Sequence, residues 1–338
     1  MEHLIGRKVL ADVINNYGVT IIPAQTVLNY ESVKLLYNHK IDEFTLSLEH
    51  AAERQEAGEQ SRKLLKQTVS RSKELFASVT DSASIPLSDI RQDVLPAVRE
   101  LSGNSDLFEL FEIVKAKDDY TYEHHIGVGI LATLIGGWMN LDEEELATLS
   151  LGATLHDIGK VNIPESILNK PGPLTDEEFE IVKKHTVHGY ELLKNAEGIS
   201  PRVALIALQH HEREDGRGYP SGLKKDQIDP LSAIVAVADI FHAMSSKRPY
   251  REATPFHEIV SQMRQGKFGE LNPEIVTLFL DNLMKKLLGR QVVLTDGRAA
   301  EVVYLNPHNI ESPLVKAGEQ FIDLAKERNV QIREVALV

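Results

Sequence analysis

The stretch LSAIVAVADIFHAM, Leu231 to Met244, is apolar nearly all round, yet it carries Asp239. A run of this kind predicts a helix buried on every side, and hence a bundle of helices packed about it. A carboxylate in such a place is costly unless it is paired or binds a cation. Asp239 is therefore either a satisfied structural group or part of a cation site.

The flanking sequence agrees with a helical bundle. From residue 101 to 286 helical signals follow one another with no strand pattern between them. Asp142 with Glu145, and Thr175 with Glu178, match capping boxes at helix starts. Ser200-Pro201 opens a buried-looking helix that ends at His210. Outside this block the character changes. Residues 1–42 read as a small mixed α/β unit, with Asn29 capping a short helix. Residues 43–100 read as a long, exposed, polar helix serving as linker or dimerisation region, broken at Ser82–Ile90, where Ser88 is expected to cap the next helix. Residues 287–338 read as a small β-rich unit with a hairpin turn at Asp296-Gly297. The echo between LIGRKVLAD (from Leu4) and LLGRQVVLTD (from Leu287) reads as coincidence rather than as related β-units. The fold class is mainly α, a helical bundle with these two small units at its flanks.

Composition narrows the chemistry. The chain has 338 residues, a formal net charge of -13 and no cysteine. Thiolate sites and disulfides are excluded, so a metal would have to use His, Asp or Glu. The negative charge disfavours nucleic acid polymers. A small phosphorylated ligand remains compatible, because KRPYR, Lys247 to Arg251, places three basic residues in five. The first residues lack the apolar core of a signal peptide, and no apolar run reaches the ~18 residues of a membrane span. A cytoplasmic protein without membrane contact is expected.

Five of the 13 histidines stand out. His156-Asp157 follows the small apolar run LATLSLGATL; Gly159 beside it would let a substrate approach, and Lys160 adds a positive charge. His210 and His211 would repel if both were protonated, a conflict that binding a divalent cation removes. His185 and His124 lie on further helices. Together His124, His156, Asp157, His185, His210, His211 and Asp239 are enough for two ions, with Asp157 as the bridge. Two such ions ~3.5–4 Å apart, with a water of lowered pKa between them, are a recurring device for phosphodiester hydrolysis. Lys160 would stabilise charge developing on phosphoryl oxygens.

LHDIGK, KKHTVHG, HHEREDGRGYP and VADIFHAMSSKRPYR occur in the order and spacing of the HD-GYP domain, a subgroup of the HD metal-dependent phosphohydrolases, and KDDYTYEHH resembles the family's start. The resemblance spans about Lys117 to Met284. It implies an HD-type helical bundle that hydrolyses cyclic di-GMP to linear pGpG, a reaction that in many members of the family continues to GMP. It places His124, His156, Asp157 and Asp239 on one metal, and Asp157, His185, His210 and His211 on the other. Iron or manganese is implied, with magnesium, zinc or nickel as further options. Gly218, Tyr219 and Pro220 form the loop beside the substrate, and Arg248 and Arg251 are its implied contacts; Arg217 departs from the usually small residue of that loop and is expected at the substrate, either strengthening contact with a dinucleotide or partly blocking it. Tyr120 stands where members with a third metal carry Glu, so two ions are expected. His125 stands where Ser is frequent, and His242 where many members have Asp. The competing readings are a hydrolase for another cyclic dinucleotide and a non-catalytic receptor or docking module. A homodimer and a regulatory protein partner complete the expectations.

Overall fold

The fold is taken from a computed structural model, which describes residues 4–15, 18–24, 26–46, 48–49, 51–82, 84–103, 106–115, 120–246, 254–266, 269–306, 309–327 and 329–336. Arg248 and Arg251 lie outside the described residues, as does the side chain of Tyr120. Contacts divide the chain into two units. One is Met1–Arg62 with Ser105–Glu109 and Asn282–Val338; the other is Lys63–Asn104 with Leu110–Asp281. The two ends of the chain thus share a unit, and the 43–100 segment is divided between the two.

In the first unit, β1 (Lys8–Val9), β2 (Val13–Ile14), β3 (Thr20–Ile22) and β4 (Leu48–Glu49) form two short antiparallel pairs, β1 with β4 and β2 with β3. Helix α1 (Tyr30–Asn38) starts where Asn29 accepts the Ser32 amide at 2.8 Å. Leu4, Val9, Val13, Ile22, Leu28, Val33 and Leu36 form the core beneath them. Strands β5 (Gln291–Leu294), β6 (Ala299–Asn306), β7 (Asn309–Ala317), β8 (Gln320–Asp323) and β9 (Ile332–Val335) make one antiparallel sheet in the order β8-β7-β6-β5-β9. The Asp296-Gly297 turn joins β5 to β6, with Gly297 at φ 88°. The sequence echo, read above as coincidence, extends to the backbone. Gly6 and Gly289 have φ of 85° and 78°, and the Arg7 and Arg290 amides donate to the carbonyls of Leu4 and Leu287. Val9 and Val292, each three residues past its glycine, are both fully buried.

Helices build the second unit. In chain order they are α2 (Ala51–Ser82), α3 (Leu95–Ser102), α4 (Leu107–Val114), α5 (Tyr120–Trp138), α6 (Glu143–Leu155), α7 (Asp176–Lys183), α8 (His185–Lys194), α9 (Pro201–Gln209), α10 (Pro230–Ser245), α11 (Phe256–Arg264) and α12 (Pro273–Lys285); α2 and α4 begin in the first unit. Among the described residues of this block there is no strand. Helix α10 is buried along its length, as its composition requires. Thr175 and Glu178 make the full capping box of α7. Asp142 caps α6 through the Glu145 amide, but the Glu145 carboxylate pairs with Arg202 at 3.0 Å instead of closing a box. Ser88 caps nothing: it lies inside a short turn of helix, Leu87–Asp89.

The expectation of an exposed α2 needs a larger correction. From Leu65 onward it buries a stripe of Leu65, Thr68, Val69, Ser72, Leu75, Phe76 and Val79. Their spacing of three and four residues marks one helical face, diluted in sequence by the Arg, Lys and Glu between them. This face packs within its own unit, with Phe76 against Tyr122 and His125 of α5. Among the described residues no helix is long and apolar enough to cross a membrane.

Candidate metal centre

Four helix ends and two helix interiors meet at Asp157. His156 is the last residue of the α6 turn, and Asp157 opens the 3-10 turn Ile158–Asn162. His185 starts α8, His210 closes α9 and His211 follows it. His124 comes from α5 and Asp239 from α10. All but the partly buried His211 are buried.

The two oxygens of Asp157 sort the histidines. His185 Nε2 lies 3.1 Å and His210 Nε2 3.7 Å from Oδ1. His156 Nε2 lies 3.3 Å, His124 Nε2 3.7 Å and His125 Nε2 3.8 Å from Oδ2. Donor atoms of Asp157, His185, His210 and His211 lie within 4.8 Å of one another, and so do those of His124, His156 and Asp157. Asp239 stands outside the second group, with Oδ1 3.1 Å from His124 Nε2 and Oδ2 3.9 Å from His211 Nδ1.

Backbone carbonyls only accept hydrogen bonds, and this settles the histidine tautomers. His156 Nδ1 donates to Ala153 O at 2.7 Å, His185 Nδ1 to Val182 O at 2.6 Å, and His210 Nδ1 to Ala207 O at 3.0 Å. In each neutral ring Nε2 then carries a lone pair, and it faces a carboxylate. Each such contact needs either a proton on Nε2 or a metal cation between the two atoms. Nε2 of His156 has no well-directed hydrogen bond. His124 is fixed by a longer relay that sequence reasoning missed. His242 Nε2 donates to Val114 O at 2.7 Å, leaving its Nδ1 to accept from His124 Nδ1 at 3.0 Å. His124 Nε2 is thereby presented to Asp239 and Asp157. His242 lies three residues after Asp239, on the same face of α10, and that spacing was the available signal. Gly127 leaves the room, since a side chain there would strike the His242 ring.

Burial keeps four of the imidazoles in the neutral form that can bind a metal, whereas Asp157 raises His156 against its burial. Burial pushes the His210 imidazole down to about 4. Burial also holds His211 and His125 well below the ordinary histidine value, and lowers His124 against the pull of Asp239. Burial opposes ionisation of Asp157 and Asp239, but the neighbouring charges win: Lys160 and His156 hold Asp157, and His124 holds Asp239, well below the carboxylate range.

Lys160 Nζ lies 2.5 Å from Asp157 Oδ2, with about a quarter of its side chain exposed (26%). Gly159 does not open a path to the site. A Cβ there would lie 2.0 Å from His185 O and 2.3 Å from Gly189 N, so its bareness lets the 3-10 turn press on α8 and set the Asp157–His185 distance. Gly218 likewise packs on the backbone of His211 to Arg213. The loop is tied down by Glu212, a buried carboxylate accepting the Ser221 and Leu223 amides at 2.7 and 2.9 Å. Tyr219 stacks on His211, ring centres 4.6 Å apart, and burial keeps its phenol protonated by raising its pKa. Pro220 follows through a cis peptide and is exposed. Arg217 is the outermost group, with 86% of its side chain exposed and only a loose 3.9 Å approach to Asp215.

A carboxylate bridging two histidine clusters on a helical bundle, with an HD pair at its centre, defines a class, and residues 109–274 match the model of the HD domain. The chain carries an HD domain of the HD-GYP family. Over 181 residues it is 44% identical to a cyclic di-GMP phosphodiesterase of Thermotoga maritima, covering 52% of this chain and 49% of that protein. Over 203 residues it is 35% identical to a cyclic di-GMP phosphodiesterase of Pseudomonas aeruginosa, covering 60% and 49%. The chain spans about half the length of these relatives. A solved HDG"Y"P protein from Bdellovibrio bacteriovorus shares the fold, at TM-score 0.54 and 18% identity over 84% of this chain and 97% of that one.

Proposed function

We propose that the chain is a metal-dependent phosphodiesterase that cleaves cyclic di-GMP to linear pGpG and onward to GMP. The observation that carries this reading is the pair of Asp157 oxygens, each the meeting point of several imidazole Nε2 atoms on a spacing that one divalent cation per oxygen would satisfy at once. His185, His210 and His211 would hold one ion with Oδ1, and His124, His156 and Asp239 the other with Oδ2. Nitrogen and carboxylate donors without sulfur suit iron(II) or manganese(II). When bound, such a pair supplies Lewis acidity and a water acidified enough to attack phosphorus.

The protein's own groups have separate tasks. In the cleavage the water oxygen bonds to phosphorus, the bond to the ribose O3′ breaks, and O3′ takes a proton. Lys160, partly exposed beside Asp157, offsets the charge that gathers on the phosphoryl oxygens. Tyr219 presents a protonated phenol at the edge of the cluster. Its stacked ring fixes His211 and shapes the entrance with Pro220. Gly218 holds that loop close to His211. Arg217 reaches outward to a phosphate, for which its planar fork is suited; Arg248 and Arg251 are assigned the same task from the sequence. The relatives' activity on the same dinucleotide supports the substrate, and the completeness of the donor set speaks against a receptor that binds without cutting.

The test is to load chelator-treated protein with iron(II) or manganese(II), add cyclic di-GMP, and identify the products alongside a panel of other cyclic dinucleotides. Asp157→Asn should lose both bound metal and turnover. Metal-loaded wild-type protein that binds the dinucleotide without releasing linear product would overturn the hydrolase reading. Faster cleavage of another member of the panel would reassign the substrate.

A further inference from the structure

We propose that His125 is a further nitrogen donor to the ion held at Asp157 Oδ2, an inference that rests on the metal reading above. Consecutive residues of a helix point about 100° apart, so a neighbour of a ligand ordinarily faces elsewhere. Here His124 and His125 of α5 bring their Nε2 atoms to 3.7 and 3.8 Å from one oxygen. The His125 ring is 2% exposed, and neither of its nitrogens has a hydrogen-bond partner among the described residues. A buried polar group without a partner is destabilising, so an imidazole is a poor choice for a site that needs only packing. Packing there is already supplied: Phe76 covers the ring at 5.0 Å between centres, and Tyr122 meets it edge-on at 6.1 Å.

That aromatic support leaves the His125 ring one polar direction, toward Asp157 and His156, whose ring centre is 5.8 Å away. Two donors at about 2.1 Å from one ion, at tetrahedral or octahedral angles, stand roughly 3–3.5 Å apart. The separations of His124, His125 and His156 from Oδ2, 3.7, 3.8 and 3.3 Å, lie at and just above that range. His125 stands just beyond the tighter set of His124, His156 and Asp157. A nitrogen-rich surround favours a borderline ion such as iron(II) over magnesium or calcium.

The experiment titrates manganese(II) into chelator-treated full-length protein and follows free metal by electron paramagnetic resonance, for wild type, His125→Phe and His125→Gln. Phenylalanine preserves the contact with Phe76 while removing both nitrogens; glutamine covers the case in which phenylalanine does not fold. Wild type should take up two ions per chain. Each variant should bind one of them about tenfold more weakly or worse, and pulsed resonance of the bound ion should lose one nitrogen coupling. The metal-free thermal midpoint of His125→Phe should not fall, which separates a ligand from a packing residue. Unchanged affinities and nitrogen couplings would refute the assignment of His125 alone. Failure of wild type to take up manganese would instead remove the metal reading beneath it.

Discussion

His242 Nδ1 lies 3.0 Å from His124 Nδ1, and the two rings form a relay that starts at the Val114 carbonyl and ends at the Nε2 lone pair of His124. Removing the inner acceptor frees the His124 ring to turn. His242→Phe should weaken metal binding by about 10- to 100-fold, the usual cost of losing a group that orients a ligand. His242→Asp, which can still accept from Nδ1, should retain most of the affinity. Metal titration checks both, and equal loss in the two variants would show that the relay is not what matters.

Gly159 should tolerate no side chain. The Cβ of Gly159→Ala would meet backbone atoms of His185 and Gly189, not flexible side chains. Overpacking of this kind costs about 1–3 kcal/mol. The variant should show that drop in urea unfolding. Its turnover should stay low at saturating metal, because Asp157 and His185 are pushed apart. A fully active, equally stable variant would contradict the close-packing role.

Glu212 should act on substrate affinity more than on metal. Glu212→Gln keeps an oxygen for one of the two loop amides but turns an N–H donor toward the other. The misfit costs about 1–3 kcal/mol and loosens the segment that carries Tyr219. KM for cyclic di-GMP should rise several-fold while manganese stoichiometry stays at the wild-type value. Steady-state kinetics with a parallel metal assay would reveal the opposite pattern.

Acid should weaken the metal-free protein first. Burial sets the folded His210 value at about 4, below the ordinary histidine value near 6.5, so the unfolded chain takes up the proton before the folded one. Stability is then greatest above about pH 6.5 and declines as pH falls toward 4, by on the order of 3 kcal/mol from this residue. His211 and His125 act in the same direction, whereas Asp157 raises His156 against its burial and works the other way. Urea midpoints of chelator-treated protein at about pH 7.5 and pH 5 measure the difference; a midpoint unchanged between them would contradict it.

Much of this centre could be read in advance, because its residues are chemically out of place. Asp239 in an apolar helix and His210 beside His211 at the end of another each demand a partner, and the cheapest common partner is a cation. The core helix followed from its composition, and the α7 start from Thr175 and Glu178. What escaped was decided by partners distant in the chain. The α2 stripe is thin in apolar residues and becomes a buried face only because α5 offers Tyr122 and His125 to Phe76. The work of His242 depends on a carbonyl at Val114, and that of Gly159 on the backbone of α8. A lone glycine or histidine has no local signature for such a contact.

His156, His185 and His210 each tether their Nδ1 to a carbonyl three residues earlier in their own turn of chain. Every ring therefore arrives at the centre already aimed, as a prefabricated part whose bearing is set by the turn of chain just before it. Tertiary packing has only to bring three such ends within reach of one carboxylate. Damage elsewhere in the bundle would shift these donors as whole pieces without twisting them, and lone pairs that still point inward are what surplus metal can recapture.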